Sequence, residues 1–232
     1  MNKDDWSGEQ NRGPSSPPID GLVVIEPKVF GDERGFFLES WNERHFASLT
    51  GLDVHFVQDN HSRSTKGVLR GLHYQRHNPQ GKLIRVVAGS IWDVAVDLRP
   101  NSASFGRYFD CELSASNFRQ LWIPPGFAHG FLVLSKVADV LYKTTTYWMP
   151  EDERSLRWSD PIIGIDWPLD ALRQAPPDGP LAPGMDPSKP QSAGPLTAVP
   201  EESQPCLPLL SAKDAAAKSL AQLRADGDLP DA

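Results

Sequence analysis

Leu83-Ile84-Arg85-Val86-Val87-Ala88-Gly89-Ser90-Ile91-Trp92-Asp93-Val94-Ala95-Val96-Asp97-Leu98 decides the fold class of this chain. It reads as two runs rich in β-branched residues, 83–87 and 91–98, flanking Gly89-Ser90, a pair suited to a hairpin turn. Side chains alternate across a strand, so Trp92, Val94, Val96 and Leu98 share one face of the second run. Asp93, Ala95, Asp97 and Arg99 share the other. An apolar face backed by a polar one fits a barrel wall with a ligand inside, and equally a sheet with one wet side.

The same texture extends in both directions. From Gly21 to about Leu169, short β-branched or aromatic runs alternate with Gly, Asn, Asp and Pro turns. Helical periodicity is scarce there, apart from a short helix expected within 39–49. Closely spaced short strands point to a mainly β fold, a sandwich or jelly roll. Residues 1–19 end in Gly13-Pro14-Ser15-Ser16-Pro17-Pro18 and read as a flexible extension. Residues 170–208 are too rich in Pro and Gly for a packed element and read as a linker or insert. Order signals return at 209–232, where Leu209-Leu210-Ser211-Ala212-Lys213-Asp214 could open a helix.

Composition narrows the function. The chain has 232 residues, 39% hydrophobic and 23% charged, with a formal net charge of -7. An acidic balance argues against broad electrostatic binding to nucleic acid or to an anionic membrane. No apolar run reaches the length of a membrane span, and the N-terminal residues lack the apolar centre of a secretory signal. The two cysteines, Cys111 and Cys206, do not make a disulfide framework. A reducing cytoplasm is therefore expected. Neither cysteine has an evident base beside it to make it a nucleophile.

Chemistry concentrates in Val68-Leu69-Arg70-Gly71-Leu72-His73-Tyr74-Gln75, with Lys82 a loop later. An imidazole between two cations suits removal of a proton whose loss leaves an anion. A packed core needs none of these polar groups. His129 follows a Pro124-Pro125-Gly126 turn into an aromatic strand, a second candidate pocket position. Tyr142, in Val140-Leu141-Tyr142-Lys143, is a candidate proton donor, although a strand tyrosine also serves as core. Tyr147-Trp148 could stack on a base or plug the end of a barrel. His73 and His77 lie four apart across an expected turn, which suits a metal site poorly.

Taken together, these segments resemble the dTDP-4-dehydrorhamnose 3,5-epimerase family of the cupin superfamily. The resemblance rests on Glu26-Pro27-Lys28-Val29-Phe30-Gly31-Asp32-Glu33-Arg34-Gly35-Phe36-Phe37, on Phe56-Val57-Gln58-Asp59-Asn60-His61-Ser62, and on the His73 stretch. It continues through Phe105-Gly106, residues 120–131, Tyr142-Lys143 and Gly164-Ile165-Asp166-Trp167-Pro168, and resumes at 209–214. It implies a cupin-type double-sheet jelly roll over residues 20–169 with short peripheral helices, assembled as a homodimer without metal or other cofactor. The implied substrate is the sugar nucleotide dTDP-4-dehydro-6-deoxy-D-glucose, inverted at C3 and C5 through enolates on the way to dTDP-L-rhamnose.

By position in the motifs, His73 matches the base, Tyr142 the opposing acid, Lys82 the enolate-stabilising cation and Asp214 the carboxylate that orients the histidine. Arg34, Phe37, Glu39, Gln58, Asp59, Asn60, Arg70, Lys82, Arg119, His129, Trp148, Glu153 and Lys213 match substrate-binding positions. Two departures stand out: Trp148 replaces the family's usual tyrosine, and about forty Pro-rich residues stand where the family has a short connection. Loop closure costs only about 0.6 kcal/mol per doubling of length, so Asp214 can still reach His73. An epimerase acting at one carbon, a metal-dependent cupin enzyme and a non-catalytic sugar-nucleotide binder are the alternatives. The coexistence of His73, Lys82 and Tyr142 speaks against mere binding.

Overall fold

The computed structural model describes residues 19–173 and 206–231. In chain order the strands are β1 (Val23–Ile25), β2 (Val29–Asp32), β3 (Gly35–Leu38), β4 (Gln58–Thr65), β5 (Leu69–Gln75), β6 (Lys82–Ala88), β7 (Ser90–Asp97), β8 (Tyr108–Ser114), β9 (Gln120–Ile123), β10 (Phe127–Val133), β11 (Val137–Thr144) and β12 (Glu153–Ser155). Helices are few and short: α1 (Glu43–Thr50), α2 (Ala212–Ala215) and α3 (Leu220–Ala225). One five-stranded sheet runs β1-β9-β6-β11-β4, the other β12-β5-β10-β7-β8, while β2 and β3 form a separate ribbon. Two antiparallel sheets stacked face to face are the expected jelly roll, with helices at its periphery.

Ile84, Val86, Leu121, Ile123, Ala138 and Val140 from the first sheet meet Ile91, Ala95, Leu113, Phe127, Phe131 and Val133 from the second, and close the space between the sheets. A second apolar layer lies outside the second sheet. There Val94, Val96, Leu98 and Leu132 pack under Ile163, Trp167, Leu220 and Leu223. The expected division of β7 into dry and wet faces is therefore corrected: Val94, Val96, Asp93, Ala95 and Asp97 are all buried. Its polar side chains face partners, not water. Asp97 accepts from Arg99, Ser102 and Ser104.

The expected turn at Gly89-Ser90 is also corrected. β6 and β7 form where expected but belong to different sheets, so the turn carries the chain across the sandwich. Gly89 has φ +73°, and a Cβ there would lie 2.0 Å from the Val137 carbonyl oxygen and 2.2 Å from Ser135 Oγ. Only glycine fits so close an approach with left-handed backbone.

The short helix expected within 39–49 is α1, capped by the Asn42 side chain and ended by left-handed Gly51. Ile19, placed in the N-terminal extension on sequence grounds, is 1% exposed and joins the inter-sheet core. The rest of that extension, and the Pro-rich stretch from 174 to 205, lie outside the described residues. Among the described residues no helix is long and apolar enough to cross a membrane.

Gly89→Ala should cost roughly 3 kcal/mol or more, since strained backbone and a contact with backbone atoms act together. Chemical denaturation of the variant measures this; a loss within 0.5 kcal/mol, as an order-of-magnitude bound for surface changes, would contradict it.

Candidate active site

Residues of both sheets line a solvent-open cleft of about 290 Å³, at the lower end of the common size range of small-molecule sites. The first sheet supplies Gln58, Asn60 and Ser62 from β4, Lys82 from β6 and Tyr142 from β11. The second supplies Arg70 and His73 from β5, His129 from β10 and Glu153 from β12. His73 and Tyr142 thus stand on opposite walls. β5 and β10 lie close because glycines face each other: a Cβ on Gly71 would come within 2.6 Å of the Gly130 Cα.

His73 is held from behind. Its Nε2 lies 2.6 Å from Asp214 Oδ1. With a carboxylate as acceptor, Nε2 carries the hydrogen and Nδ1 is left to accept one. Glu153 Oε1 stands 4.0 Å from that Nδ1, and Glu153 is also ion-paired with Lys213. Asp214 is 3% exposed. Burial pushes its carboxyl up, but hydrogen bonds from His73, Ser211 and the Gly71 N–H together hold it below the usual range. The Asp214 carboxylate thus stands directly against the His73 ring.

Lys82 is 7% exposed, and the acceptor within reach of its Nζ is the His73 carbonyl at 3.4 Å. Burial lowers its pKa to about 8, partly countered by Glu153 and Asp93. A desolvated ammonium ion without a close carboxylate is suited to meet negative charge that develops on a bound molecule. Burial also raises the Tyr142 phenol, with Glu153 adding and Arg70 opposing, so the phenol keeps its proton at neutral pH. His129 is braced by Asp93, with Nε2 2.9 Å from Oδ2.

Around the rim Gln58 donates to Asn60 and accepts from the Trp148 backbone N–H. The Trp148 ring is half exposed at 53%, open to stacking. Arg70 Nε is bonded to Ser64 Oγ at 2.8 Å. The cleft therefore gathers His73, Tyr142, Lys82, Gln58, Asn60, Arg70, His129, Trp148 and Glu153, with Asp214 and Lys213 contacting it from α2.

Other matched positions lie elsewhere in the chain. Arg34 pairs with Asp32 on the exposed β2–β3 ribbon, where Phe37 is 61% exposed. Glu39 accepts from Asn42 beside α1, Asp59 pairs with Lys143, and Arg119 pairs with Glu26. Ser62, Gln80 and Phe131 line the cleft without having been singled out from sequence. Ser62 carried a signal, since Gln58, Asn60, Ser62 and Ser64 recur at period two. Its Oγ is buried and has no hydrogen-bond partner among the described residues. Burial pushes the Cys111 thiol up, which keeps it an unreactive neutral group.

A family model described as dTDP-4-dehydrorhamnose 3,5-epimerase matches residues 16–222. A Pseudomonas aeruginosa protein of the same description is 59% identical over 151 residues, covering 65% of this chain and 83% of the relative. A crystal structure of a Legionella pneumophila dTDP-6-deoxy-D-glucose-3,5-epimerase holding dTDP-4-keto-L-rhamnose is 45% identical. It superposes with a TM-score of 0.75, covering 94% of this chain and 97% of that one. A 3'-monoepimerase from Streptomyces bikiniensis, in complex with dTDP-quinovose, is 28% identical with a TM-score of 0.73, covering 92% and 91%.

Lys82→Met should stabilise the protein. The lysine titrates near pH 8 when folded and 10.5 when unfolded, so between these values the unfolded chain binds the extra proton. The stability contribution is present above pH 10.5 and lost as pH falls through 8. Unfolding curves at pH 7 should show the variant more stable by about 3 kcal/mol, with the gap closing toward pH 10. Equal stability at both pH values would overturn this account of the lysine.

Proposed function

Because this chain belongs to the dTDP-4-dehydrorhamnose 3,5-epimerase family, we propose that its cleft inverts C3 and C5 of dTDP-4-dehydro-6-deoxy-D-glucose, giving dTDP-4-dehydro-L-rhamnose for dTDP-L-rhamnose formation. The observation that carries the reading is the placement of His73 and Tyr142 on opposite sheets, with buried Lys82 on the Tyr142 wall and its Nζ 3.4 Å from the His73 carbonyl. Both carbons flank the C4 ketone. His73 Nδ1 takes the proton from one of them, and the electron pair moves onto the C4 oxygen as an enolate. Lys82 sits where its ammonium ion offsets that charge. The Tyr142 hydroxyl then delivers a proton to the opposite face of the same carbon, and the configuration inverts. Proton exchange with water resets both groups before the second carbon reacts.

In this reading Asp214 keeps the His73 ring oriented and balances the imidazolium that forms. Arg70 is suited to the pyrophosphate and Trp148 to stacking on thymine. The two free cysteines and the lack of a long apolar helix among the described residues support a cytoplasmic location.

The working unit in this reading is a homodimer. Phe36 and Phe37 are 64% and 61% exposed on the β2–β3 ribbon, an apolar patch suited to a partner. Arg34 and Phe37 match substrate positions but lie off their own chain's cleft, and a second copy is the simplest means of presenting them to it. Sedimentation should give twice the mass of one chain. Phe36→Asp should shift the protein toward monomer and weaken substrate binding, whereas a fully active monomer would refute the arrangement.

Proton NMR of the dTDP-4-keto sugar in deuterium oxide tests the chemistry. Deuterium should enter at C3 and C5; exchange at one carbon would indicate a single-site epimerase, and exchange that needs added metal a metal-dependent enzyme. His73→Ala should slow exchange by about 10²–10⁴-fold. Tyr142→Phe should slow inversion more than exchange, since base and enolate remain. For wild type, kcat/KM should fall as pH rises through about 8, where Lys82 loses its charge. Unchanged exchange in His73→Ala would remove the assigned base.

A further inference from the structure

We propose that Ser211 is a positioning residue for the epimerisation, acting on His73 through Asp214. The inference rests on the reading of His73 as base and Asp214 as its orienting carboxylate. Ser211 is the N-cap of α2, and its Oγ accepts from the Asp214 backbone N–H at 3.1 Å. The same hydroxyl donates to Asp214 Oδ2 at 2.9 Å. Oδ1 is thereby left to His73 Nε2. The hydrogen-bonded chain runs Ser211 Oγ–H to the carboxylate and His73 Nε2–H to its other oxygen, with the Gly71 N–H also directed at the carboxyl. A carboxylate with both oxygens engaged cannot rotate without breaking a bond to a buried charge.

The neighbouring helix supplies an internal comparison. In α3 the N-cap Ser219 accepts from the Gln222 N–H and its hydroxyl donates to Gln222 Oε1 at 3.1 Å, while the same Oε1 accepts from the Ser219 N–H. That reciprocal arrangement is the ordinary helix start for a Ser-x-x-Gln sequence. Ser211-Ala212-Lys213-Asp214 has the same spacing, yet its carboxylate keeps one oxygen at the helix start, on Ser211, and carries the other to His73 in the cleft wall. The two caps differ in what the side chain three residues on meets beyond the serine hydroxyl: Gln222 Oε1 accepts again from the Ser219 N–H, whereas Asp214 Oδ1 is bonded to His73 Nε2.

Three variants separate the roles. Glycine is nearly as good as serine at an N-cap but has no hydroxyl, while threonine keeps both bonds. Ser211→Gly should lower kcat about tenfold, the scale of one lost orienting hydrogen bond, with KM within about twofold and thermal unfolding almost unmoved. Ser211→Thr should stay within about threefold of wild type. Asp214→Asn should fall further than either. Full kcat in Ser211→Gly, alongside a large loss in Asp214→Asn, would overturn the role of Ser211 and leave the Asp-His pair standing. A loss in Ser211→Gly accompanied by a matching fall in melting temperature, or one shared by Ser211→Thr, would mark a purely structural residue. Full kcat in Asp214→Asn would instead overturn the reading of the pair itself.

Discussion

The cleft depends on residues 206–231 lying against the second sheet. Leu220 and Leu223 of this segment are 3% and 1% exposed, packed with Val94, Val96, Leu98 and Trp167. Each such leucine contributes about 1.5–3 kcal/mol by burial. The pairing of Lys218 with Asp226 is exposed and screened by solvent, so it contributes little beside that burial. Apolar packing therefore sets where the segment rests. Polar contacts refine its position: Asp160 accepts from the Leu220 N–H, Asp228 meets Arg154 and Lys218, and short bridges join Val68 to Leu209 and Leu156 to Lys218. Only with this segment in place does a carboxylate stand behind His73.

The cleft is also where the fold gives up stability. Among the described residues, buried Lys82 has no carboxylate within ion-pair distance and Ser62 Oγ has no hydrogen-bond partner. Such groups oppose folding and persist where function uses them. Asp93–His129 and Asp97–Arg99, by contrast, are fully paired inside the same sheet.

Much of this was legible in the linear chain. The period-two pattern of 91–98 places β7 within a residue, and the motif around His73 points to proton transfer by residue type alone. Asp93 and Asp97 were visible as a polar face, but read as a wet or ligand-facing side. In the fold they are buried and paired, because partners such as His129 arrive from a strand more than thirty residues away. Gly89-Ser90 has the local chemistry of a hairpin, and its glycine does adopt left-handed backbone. Which strand lies beside β6 is set by sheet packing, beyond the reach of a two-residue turn.

By itself the amino-acid sequence determined the class of element in each stretch, the residue types available for proton transfer, and the kinship of the chain. These follow from alternation, turn chemistry and motif order, all of them local. The tertiary structure decided which of the matched residues share a cleft. His73 and Tyr142 come to face each other because their strands fall in opposite sheets, and Asp214 reaches His73 because buried leucines anchor its segment. Arg34, Phe37 and Arg119 carry the same kind of motif signal but sit elsewhere in the chain. Long-range packing is a sum of many weak apolar contacts, and no single stretch of sequence records that sum.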